Sequence, residues 1–192
     1  MKLMEIRHIK QSDDRFAISH IYEESWKFAY KNIIPQSYLE SIPVGRWAPN
    51  LDKEGMNTIV LIEDGMFIGT SSYCKSRFSS FSNWGEIVSI YFLPQYIGRG
   101  YGKLLLDAVV GELEWLGFHD IFLWVLEDNL RARKFYEKGG FTPSGNYLED
   151  NIGGKELREM QYCCSVEKWR KEHSSVIYKT GHCKRIINQS HE

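Results

Sequence analysis

Apolar residues recur along this chain with two periods, at every second position in some segments and at every third or fourth position in others. The first period, or an unbroken apolar run, is typical of β-strands, and the second is typical of amphipathic helices. Strands are predicted over residues 5–9, 58–63, 66–74, 86–93, 121–126, 141–148 and 156–165. Helices are predicted between Ser12 and Pro35, over residues 36–42, over residues 100–116 and over residues 129–138.

Turn residues separate these elements and indicate how they connect. Asp64-Gly65 lies between two strand patterns and predicts a tight β-hairpin. The strand–helix–strand pattern over residues 86–126 predicts one parallel crossover. The predicted fold class is therefore α/β, with a mixed central sheet of about six to seven strands flanked by about four helices.

The composition excludes several classes of protein. The chain has 192 residues, of which 43% are hydrophobic, and a formal net charge of −1. We therefore expect one globular domain without the basic surface that recruits nucleic acid or an anionic membrane. The longest apolar run, residues 121–126, is too short to span a bilayer, and the N-terminal segment lacks the apolar core of a secretory signal. A cytoplasmic protein with no nucleic-acid or membrane partner is predicted.

The cysteines and histidines do not predict a metal site. The four cysteines form no C-x-x-C pair and are predicted to be reduced and structural: Cys74, Cys163, Cys164 and Cys183. His173, His182 and Cys183 lie close in sequence but lack a second pair of ligands. No metal is therefore expected.

A glycine-rich loop, PQYIGRGYGKLLL at residues 94–106, leads from a predicted strand into a predicted helix. Its glycines allow backbone amides to approach a ligand and to adopt positive φ, and the helix start adds unpaired amides with a partial positive charge. Arg99 or Lys103 can add a full charge. The loop predicts either a phosphate site or only a tight turn that leads into the helix.

Two common phosphate motifs do not fit this loop. A nucleoside-triphosphate loop, G-x-x-x-x-G-K-[ST], needs a glycine where Ile97 stands and a hydroxyl where Leu104 stands. A dinucleotide loop, G-x-G-x-x-G, needs its last glycine one residue after Gly102. A nucleotide-binding protein is therefore the least favoured class.

Two segments together resemble a known family. Residues 97–102 match the glycine positions of the [QR]-x-x-G-x-[GA] loop that holds the pyrophosphate of acyl-CoA, with Ile97 in place of the usual Gln or Arg. Residues 129–141 match the segment N-x-x-A-x-x-x-Y-x-K-x-G-F at Asn129, Ala132, Tyr136, Lys138, Gly140 and Phe141. On these motifs, the chain over residues 6–165 resembles the GNAT superfamily of N-acetyltransferases, in its small bacterial form.

The resemblance implies a GNAT-type acyl-CoA N-acyltransferase fold over residues 1–165, followed by an extension over residues 166–192 with no assigned role. It implies that acetyl-CoA is the co-substrate and that the strand over residues 86–93 splays from the next strand to expose backbone for the pantetheine arm. The implied coenzyme-binding residues are Tyr91, Phe92, Leu93, Ile97, Gly98, Arg99, Gly100, Tyr101, Gly102, Lys103 and Asn129.

The resemblance also implies an activity, the transfer of an acetyl or longer acyl group to a primary amine by direct attack on the thioester. Tyr136 is implied to protonate the leaving thiolate, and Glu86 to take the proton of the amine. A surface carboxylate is the alternative interpretation of Glu86, and less favoured bases are Glu127, Asp128 and Glu149. A non-catalytic acyl-CoA-binding or sensor module is the alternative function.

The acceptor is less well defined than the coenzyme. Trp26 and Tyr30 are one helical turn apart, so they either line an aromatic acceptor pocket or belong to the core. The acceptor stays open between a small-molecule amine and the N-terminus or a lysine of a protein. A homodimer is also left open.

Overall fold

The computed structural model describes residues 3–173 and 184–188. Its strands are β1 (Leu3–His8), β2 (Asn57–Glu63), β3 (Met66–Lys75), β4 (Gly85–Phe92), β5 (Asp120–Leu126), β6 (Thr142–Ile152), β7 (Lys155–Ser165) and β8 (Lys184–Asn188). Its helices are α1 (Arg15–Ala29), α2 (Gln36–Glu40), α3 (Tyr101–Trp115), α4 (Leu130–Lys138) and α5 (Val166–Glu172). Every segment predicted as a strand or a helix has a counterpart among these elements.

The strands form one sheet in the order β6-β7-β5-β4-β3-β2-β1-β8. Neighbouring strands are antiparallel except β4 and β5, which are parallel and are joined through α3. The predicted mixed α/β sheet and its single crossover are therefore confirmed. The sheet exceeds the predicted six to seven strands because β8 pairs with β1 at one edge.

The first hairpin shows how local sequence sets a connection. Asp64 and Gly65 have φ values of 50° and 83°, so both central residues of the turn between β2 and β3 lie in the left-handed region. A turn with two positive φ values matches the right-handed twist of the paired strands. The Asp64-Gly65 signal is therefore confirmed as a tight hairpin.

The two faces of the sheet are buried by different helices. In β2, Ile59 and Leu61 belong to the core cluster that α3 covers, whereas Val60 and Ile62 belong to the cluster that α1 covers. Because side chains alternate along a strand, an unbroken apolar run is buried on both faces. The helix α2 adds a third cluster with the end of β5, through Leu39 and Leu126.

The segment after β7 continues into the same core. Val166 and Trp169 of α5 are buried in the cluster that α3 covers, and β8 extends the sheet beyond β1. The described part of the predicted extension therefore packs on the domain predicted over residues 1–165. Among the described residues, no helix is both long and apolar enough to cross a membrane.

Candidate functional site

The parallel strands β4 and β5 separate along their length. They pair only through Gly85↔Ile121, Glu86↔Phe122 and Ile87↔Leu123, and β4 then diverges. At the divergence, Ser72 of β3 pairs with Ser89 whereas Tyr73 pairs with Ile87, a shift in register typical of a β-bulge. The splay implied by the resemblance is therefore present, and it leaves an opening in the middle of the sheet.

A cleft of about 530 Å³ occupies this opening. Strand β4 lines it over residues 87–92, the glycine loop closes one end, and α4 forms one wall. The predicted site residues that line the cleft are Tyr30, Tyr91, Phe92, Ile97, Gly98, Gly100, Gly102, Lys103, Asn129 and Tyr136. Residues predicted from two distant motifs therefore meet in one place.

Some of the backbone N–H groups of β4 point into the opening. The N–H of Leu93 donates to the Ile68 carbonyl at 3.0 Å, on the side of β3. Because successive residues of a strand direct their N–H groups to opposite neighbours, the N–H of Phe92 points to the side where β5 has diverged. Phe92 can therefore donate into the cleft, whereas the N–H of Leu93 is already bonded.

The glycine loop presents successive free amides to the cleft. Within the described chain, the N–H groups of residues 98–102 donate to no carbonyl or side chain, and the next one, of Lys103, donates to the Gly100 carbonyl at 3.2 Å. These amides are at the N-terminus of α3, where the helix dipole adds a partial positive charge. The loop is therefore built to receive an anion such as a pyrophosphate.

The glycines of the loop have different physical roles. Gly98 and Gly100 have φ values of 84° and 85° and open space around them, so backbone conformation selects glycine there. At Gly102, a Cβ atom would stand 2.9 Å from the Phe135 ring, so close packing of α3 against α4 selects glycine. The sequence pattern does not distinguish the three glycines. Of the three, only Gly102 is required for the close packing of α3 against α4, the helices that border the cleft.

The helix α4 begins at a side chain of the second motif. The Asn129 Oδ1 atom accepts a hydrogen bond from the Ala132 N–H at 3.2 Å and caps the helix. Asn129 is buried and also lines the cleft, so its amide NH₂ group remains available to a ligand. One residue therefore both starts the helix and leaves a hydrogen-bond donor at the cleft.

Tyr136, on α4, lines the cleft with its side chain largely buried. Its side chain is 9% exposed and packs against Phe135 and Phe141. Among the described residues, its hydroxyl has no hydrogen-bond partner. Burial is the main cause that raises the pKa of Tyr136 above its usual value, and the charge of the nearby Tyr91 raises it further. The group therefore carries its proton across the physiological pH range.

Aromatic side chains cover the face of β4 opposite α3. The Tyr91 hydroxyl accepts from the Trp26 indole at 3.1 Å and is 3.3 Å from the Tyr30 hydroxyl. Burial raises the pKa of Tyr91 to about 12 and that of Tyr30 well above its usual value. Tyr30 lines the cleft, whereas Trp26 lies behind it, packed on Tyr30 and Trp47.

Glu86 lies in the closed part of the splay. It is buried, and both of its carboxylate oxygens accept hydrogen bonds from Arg77, with distances between 2.6 and 3.2 Å. Glu86 is not among the residues that line the cleft. The buried Glu86 carboxylate therefore pairs with the half-exposed Arg77 guanidinium, at the end of the sheet where β4 and β5 are still paired.

Three further predicted residues lie outside the lining of the cleft. The Leu93 side chain is buried, and the Tyr101 side chain turns into the core, where its hydroxyl donates to Glu63. The Arg99 guanidinium lies over the Tyr96 ring, 5.3 Å from its centroid. The charge of Lys103, which does line the cleft, is paired with Asp107 at 2.6 Å.

The structure also brings residues into the cleft that the sequence patterns did not single out. They include Ser25, Ala29, Trp124 and Arg131. Arg131 lies over the Phe28 ring at 4.9 Å, which joins α4 to α1. Trp124 belongs to the part of β5 beyond its last pair with β4. The expected splay of these strands is the sequence signal that could have identified it as a cleft residue.

The less favoured bases lie in a second cleft, of about 410 Å³, between the end of β5 and the β6–β7 hairpin. Its polar lining comprises Glu127, Asp128, Glu149, Lys155, Glu156 and Arg158. Arg158 contacts Glu149 at 3.5 Å and Glu127 at 3.9 Å. Carboxylates outnumber cations in this cleft, although the sequence alone showed no acidic cluster.

The cysteines that the structure describes, Cys74, Cys163 and Cys164, are free thiols. Burial raises the pKa of each to about 11, so they remain protonated and unreactive at neutral pH. Of the weak metal-site candidates, His173 stacks on Trp169. His182 and Cys183 lie outside the described residues.

Comparison with known protein families identifies the part of the chain that contains the two motifs. A family model described as the acetyltransferase (GNAT) family matches residues 17–141. The match begins in α1, spans the splayed strands and the glycine loop, and ends just after α4. It therefore covers all the elements that form the 530 Å³ cleft.

Individual relatives cover most of the chain. A spermidine N(1)-acetyltransferase from Thermoplasma acidophilum is 26% identical over 168 residues, 83% of this chain and 98% of that protein. A ribosomal protein bS18-alanine N-acetyltransferase from Haemophilus influenzae is 31% identical over 131 residues, 67% of this chain and 85% of that protein.

A solved structure shares the fold. The crystal structure of PaiA N-acetyltransferase from Thermoplasma acidophilum in complex with coenzyme A has a TM-score of 0.62 and 22% identity to this chain. The superposition covers 84% of this chain and 98% of the other. The similarity therefore extends over nearly the whole of that enzyme.

Proposed function

Because this chain belongs to the acetyltransferase (GNAT) family, we propose that it transfers an acetyl group from acetyl-CoA to a primary amine of a small molecule or a protein. One observation carries the proposal. The opening between β4 and β5 leads directly to a run of free amides at the N-terminus of α3. A long, extended thioester with a pyrophosphate at one end matches both parts of this surface.

The residues present fit coenzyme A. The free amides of residues 98–102 suit its pyrophosphate, and the unpaired side of β4 suits the amide-containing pantetheine arm. Asn129 offers a further donor beside that arm. Ile97 replaces a polar side chain of the family pattern, but this loss is limited because backbone amides form most of the anion site.

The protein has groups suited to polarising the thioester carbonyl and to protonating the leaving sulfur. Acetyl-CoA supplies an activated acyl group when bound. The Phe92 N–H, on the open side of β4, is placed to polarise the thioester carbonyl. The protonated Tyr136 hydroxyl is placed to donate to the departing sulfur. Neither role needs a covalent intermediate, and the described cysteines lie outside the lining of the cleft.

The acceptor enters, in this proposal, from the face that α1 and α2 cover. Two relatives are named for spermidine, which carries primary amines, and for an alanine of ribosomal protein bS18. A cleft with a surplus of carboxylates, such as the one between β5 and the β6–β7 hairpin, favours an acceptor with additional positive charge.

Thermal unfolding with and without coenzyme tests the binding half of the proposal. Acetyl-CoA at one hundred times its Kd should stabilise the fold by about 2.7 kcal/mol. For a chain of this size, that stabilisation raises Tm by about 5–10 °C. Longer acyl-CoAs, tested in parallel, define the acyl length. A Tm unchanged by every CoA thioester would contradict the proposal.

Thiol release tests the chemical half. The amine panel should contain spermidine, a peptide with N-terminal alanine, and the same peptide with a blocked N-terminus and one lysine. We expect acetyl-CoA-dependent thiol release with at least one of these free amines, and none with the third peptide once its lysine amine is also blocked. Coenzyme binding without thiol release on any amine would favour the acyl-CoA-binding module over the transferase.

A further inference from the structure

Direct transfer to an amine requires a group that accepts the proton of the ammonium. A primary amine with a solution pKa of about 10 is mostly protonated at neutral pH, and the protonated form cannot attack a carbonyl. The proton acceptor must have a free lone pair within reach of the amine, directly or through one water. The carboxylates on the face of the sheet that α1 and α2 cover are the relevant candidates.

Glu86 does not meet this requirement in its observed position. It pairs with Phe122 in the closed part of the splay, and both its oxygens accept hydrogen bonds from Arg77. Accepting a proton there requires the ion pair between buried Glu86 and half-exposed Arg77 to open. Glu86 is better suited to hold Arg77 than to take a proton.

Glu159 lies at the open end of the same splay. In the sheet it pairs with Leu126, at the end of β5 beyond the last contact with β4. Side chains of directly paired residues lie on the same face, and Leu126 packs against the α2 cluster. Glu159 is therefore half-buried on the face that α1 and α2 cover, where the two strands are apart. Like Glu86, it is not among the residues that line the 530 Å³ cleft, so its distinction from Glu86 is its position and its unpaired carboxylate.

The Glu159 carboxylate is unengaged and electrostatically coupled to the site. It forms no hydrogen bond or ion pair with the described residues, in contrast to Glu86. It lies near enough to influence the ionisation of both Tyr30 and Tyr91, the two hydroxyls beside the cleft. The charge of Tyr136 in turn acts on Tyr30, so these groups form one connected cluster.

The groups electrostatically linked to Glu159 come from several elements: Tyr30 at the C-terminal end of α1, Arg77 of the β3–β4 loop, Tyr91 of β4, and Asp150 of β6. Burial and the Asp150 charge raise the pKa of Glu159, whereas the Arg77 charge lowers it, and the net direction is upward. A carboxylate with a raised pKa is a stronger base than an ordinary glutamate.

We propose that Glu159, and not Glu86, takes the proton from the acceptor amine, an assignment that rests on the proposed transferase function. The Glu159 carboxylate accepts one proton from the ammonium, and the neutral nitrogen then forms a bond to the acyl carbon. The bond from that carbon to sulfur breaks, and the thiolate takes a proton from Tyr136. The second proton of the nitrogen restores Tyr136, and Glu159 returns its proton to solvent.

The test compares Glu159→Gln with two matched variants, Glu86→Gln in the ion pair with Arg77 and Glu167→Gln on the exposed side of α5, outside both clefts. For each, the pH profile of kcat and the Tm increase with acetyl-CoA are measured. We expect Glu159→Gln to lower kcat by about 10²-fold or more at neutral pH. Its Tm increase with acetyl-CoA should match that of the wild type.

Two features distinguish a base from a structural residue. The wild-type rate should rise with pH with a midpoint above the ordinary glutamate value, and this rise should be absent in Glu159→Gln. The deficit of Glu159→Gln should shrink as the pH approaches the pKa of the amine, because the amine then loses its proton to solvent. Glu86→Gln should lower Tm and retain the pH-dependent rise, and Glu167→Gln should behave as the wild type.

The outcomes separate this proposal from the function on which it rests. A wild-type enzyme that releases thiol, with a Glu159→Gln variant of equal rate and unchanged pH profile, overturns the assignment alone. So does a loss of the pH-dependent rise in Glu86→Gln instead. A wild-type chain that releases no thiol with any amine overturns the transferase function, and the assignment with it.

Discussion

Tyr136 combines two properties that rarely occur together in a buried side chain. Its ring packs between aromatic neighbours, yet its hydroxyl has no partner among the described residues and lies at a cleft. The Tyr136 oxygen is not among the fully buried side-chain atoms that lack a partner, so the hydroxyl is open to the cleft and available to a ligand. In the proposed reaction, that ligand is the thioester, and its departing sulfur takes the proton of Tyr136.

Replacing Tyr136 with Phe removes the hydroxyl and retains the ring packing. We expect kcat for thiol release to fall by about 10²-fold or more, since general acid catalysis contributes this much. The Tm increase with acetyl-CoA should stay unchanged because the ring still lines the cleft. Tyr147→Phe, on exposed β6, is the matched control and should keep full activity. Equal rates in the two variants would rule out the acid role.

At the scale of elements, the cleft depends on how α3 and α4 pack. The Phe135 ring lies where a side chain at position 102 would stand, so the N-terminus of α3 is held close to α4. The free amides of the glycine loop and the Asn129 side chain are thereby placed along one groove. A change at this contact therefore affects both stability and coenzyme binding.

Gly102→Ala tests that contact. The new methyl group would stand 2.9 Å from the Phe135 ring. Overpacking of this kind should lower the free energy of unfolding by about 1–3 kcal/mol and weaken acetyl-CoA binding. Denaturant unfolding measures the first effect, and calorimetric titration with acetyl-CoA measures the second.

A double-mutant cycle with Phe135→Leu gives the control. The smaller side chain leaves room for the methyl group, so the double variant should lose less stability than the sum of the single losses. Additive losses would show that the ring does not limit position 102 and that glycine is needed there for another reason.

At the scale of the whole molecule, α5 ties the end of the domain to its centre. Trp169 is 2% exposed and lies in the cluster that also contains residues of β4, β5 and α3. The same cluster holds Tyr136 and Phe141, so packing at α5 reaches the wall of the cleft. The described part of the segment after residue 165 thus supports the site from behind.

Trp169→Ala should therefore destabilise the whole protein. Removing a buried tryptophan typically lowers the free energy of unfolding by about 3–5 kcal/mol. Denaturant unfolding should show this loss as a shift of the midpoint. Lys171→Ala, on the same helix with a side chain that is 73% exposed, should shift it little. Similar midpoints for both variants would indicate that α5 contributes no core packing.

The sequence by itself determined the features that depend on neighbouring residues. The positions of β1–β7 and α1–α4 follow from short hydrophobic periods, and the hairpin at Asp64 and Gly65 follows from backbone preference. The two motifs also identified the family, because a phosphate loop and a capped helix are local structures. Each of these features is encoded within about fifteen consecutive residues, the span over which sequence patterns are informative.

Only the tertiary structure decided which carboxylates and aromatic groups near the splayed strands are available to a ligand. Glu86 was expected as a base from its strand position, but its contact with Arg77 arises from the fold of the preceding loop. Glu159 is far from both motifs, and the pairing of β7 with β5 places it beside the open splay. The physical reason is that charge pairing, burial and free lone pairs depend on residues distant in sequence, which short patterns do not record.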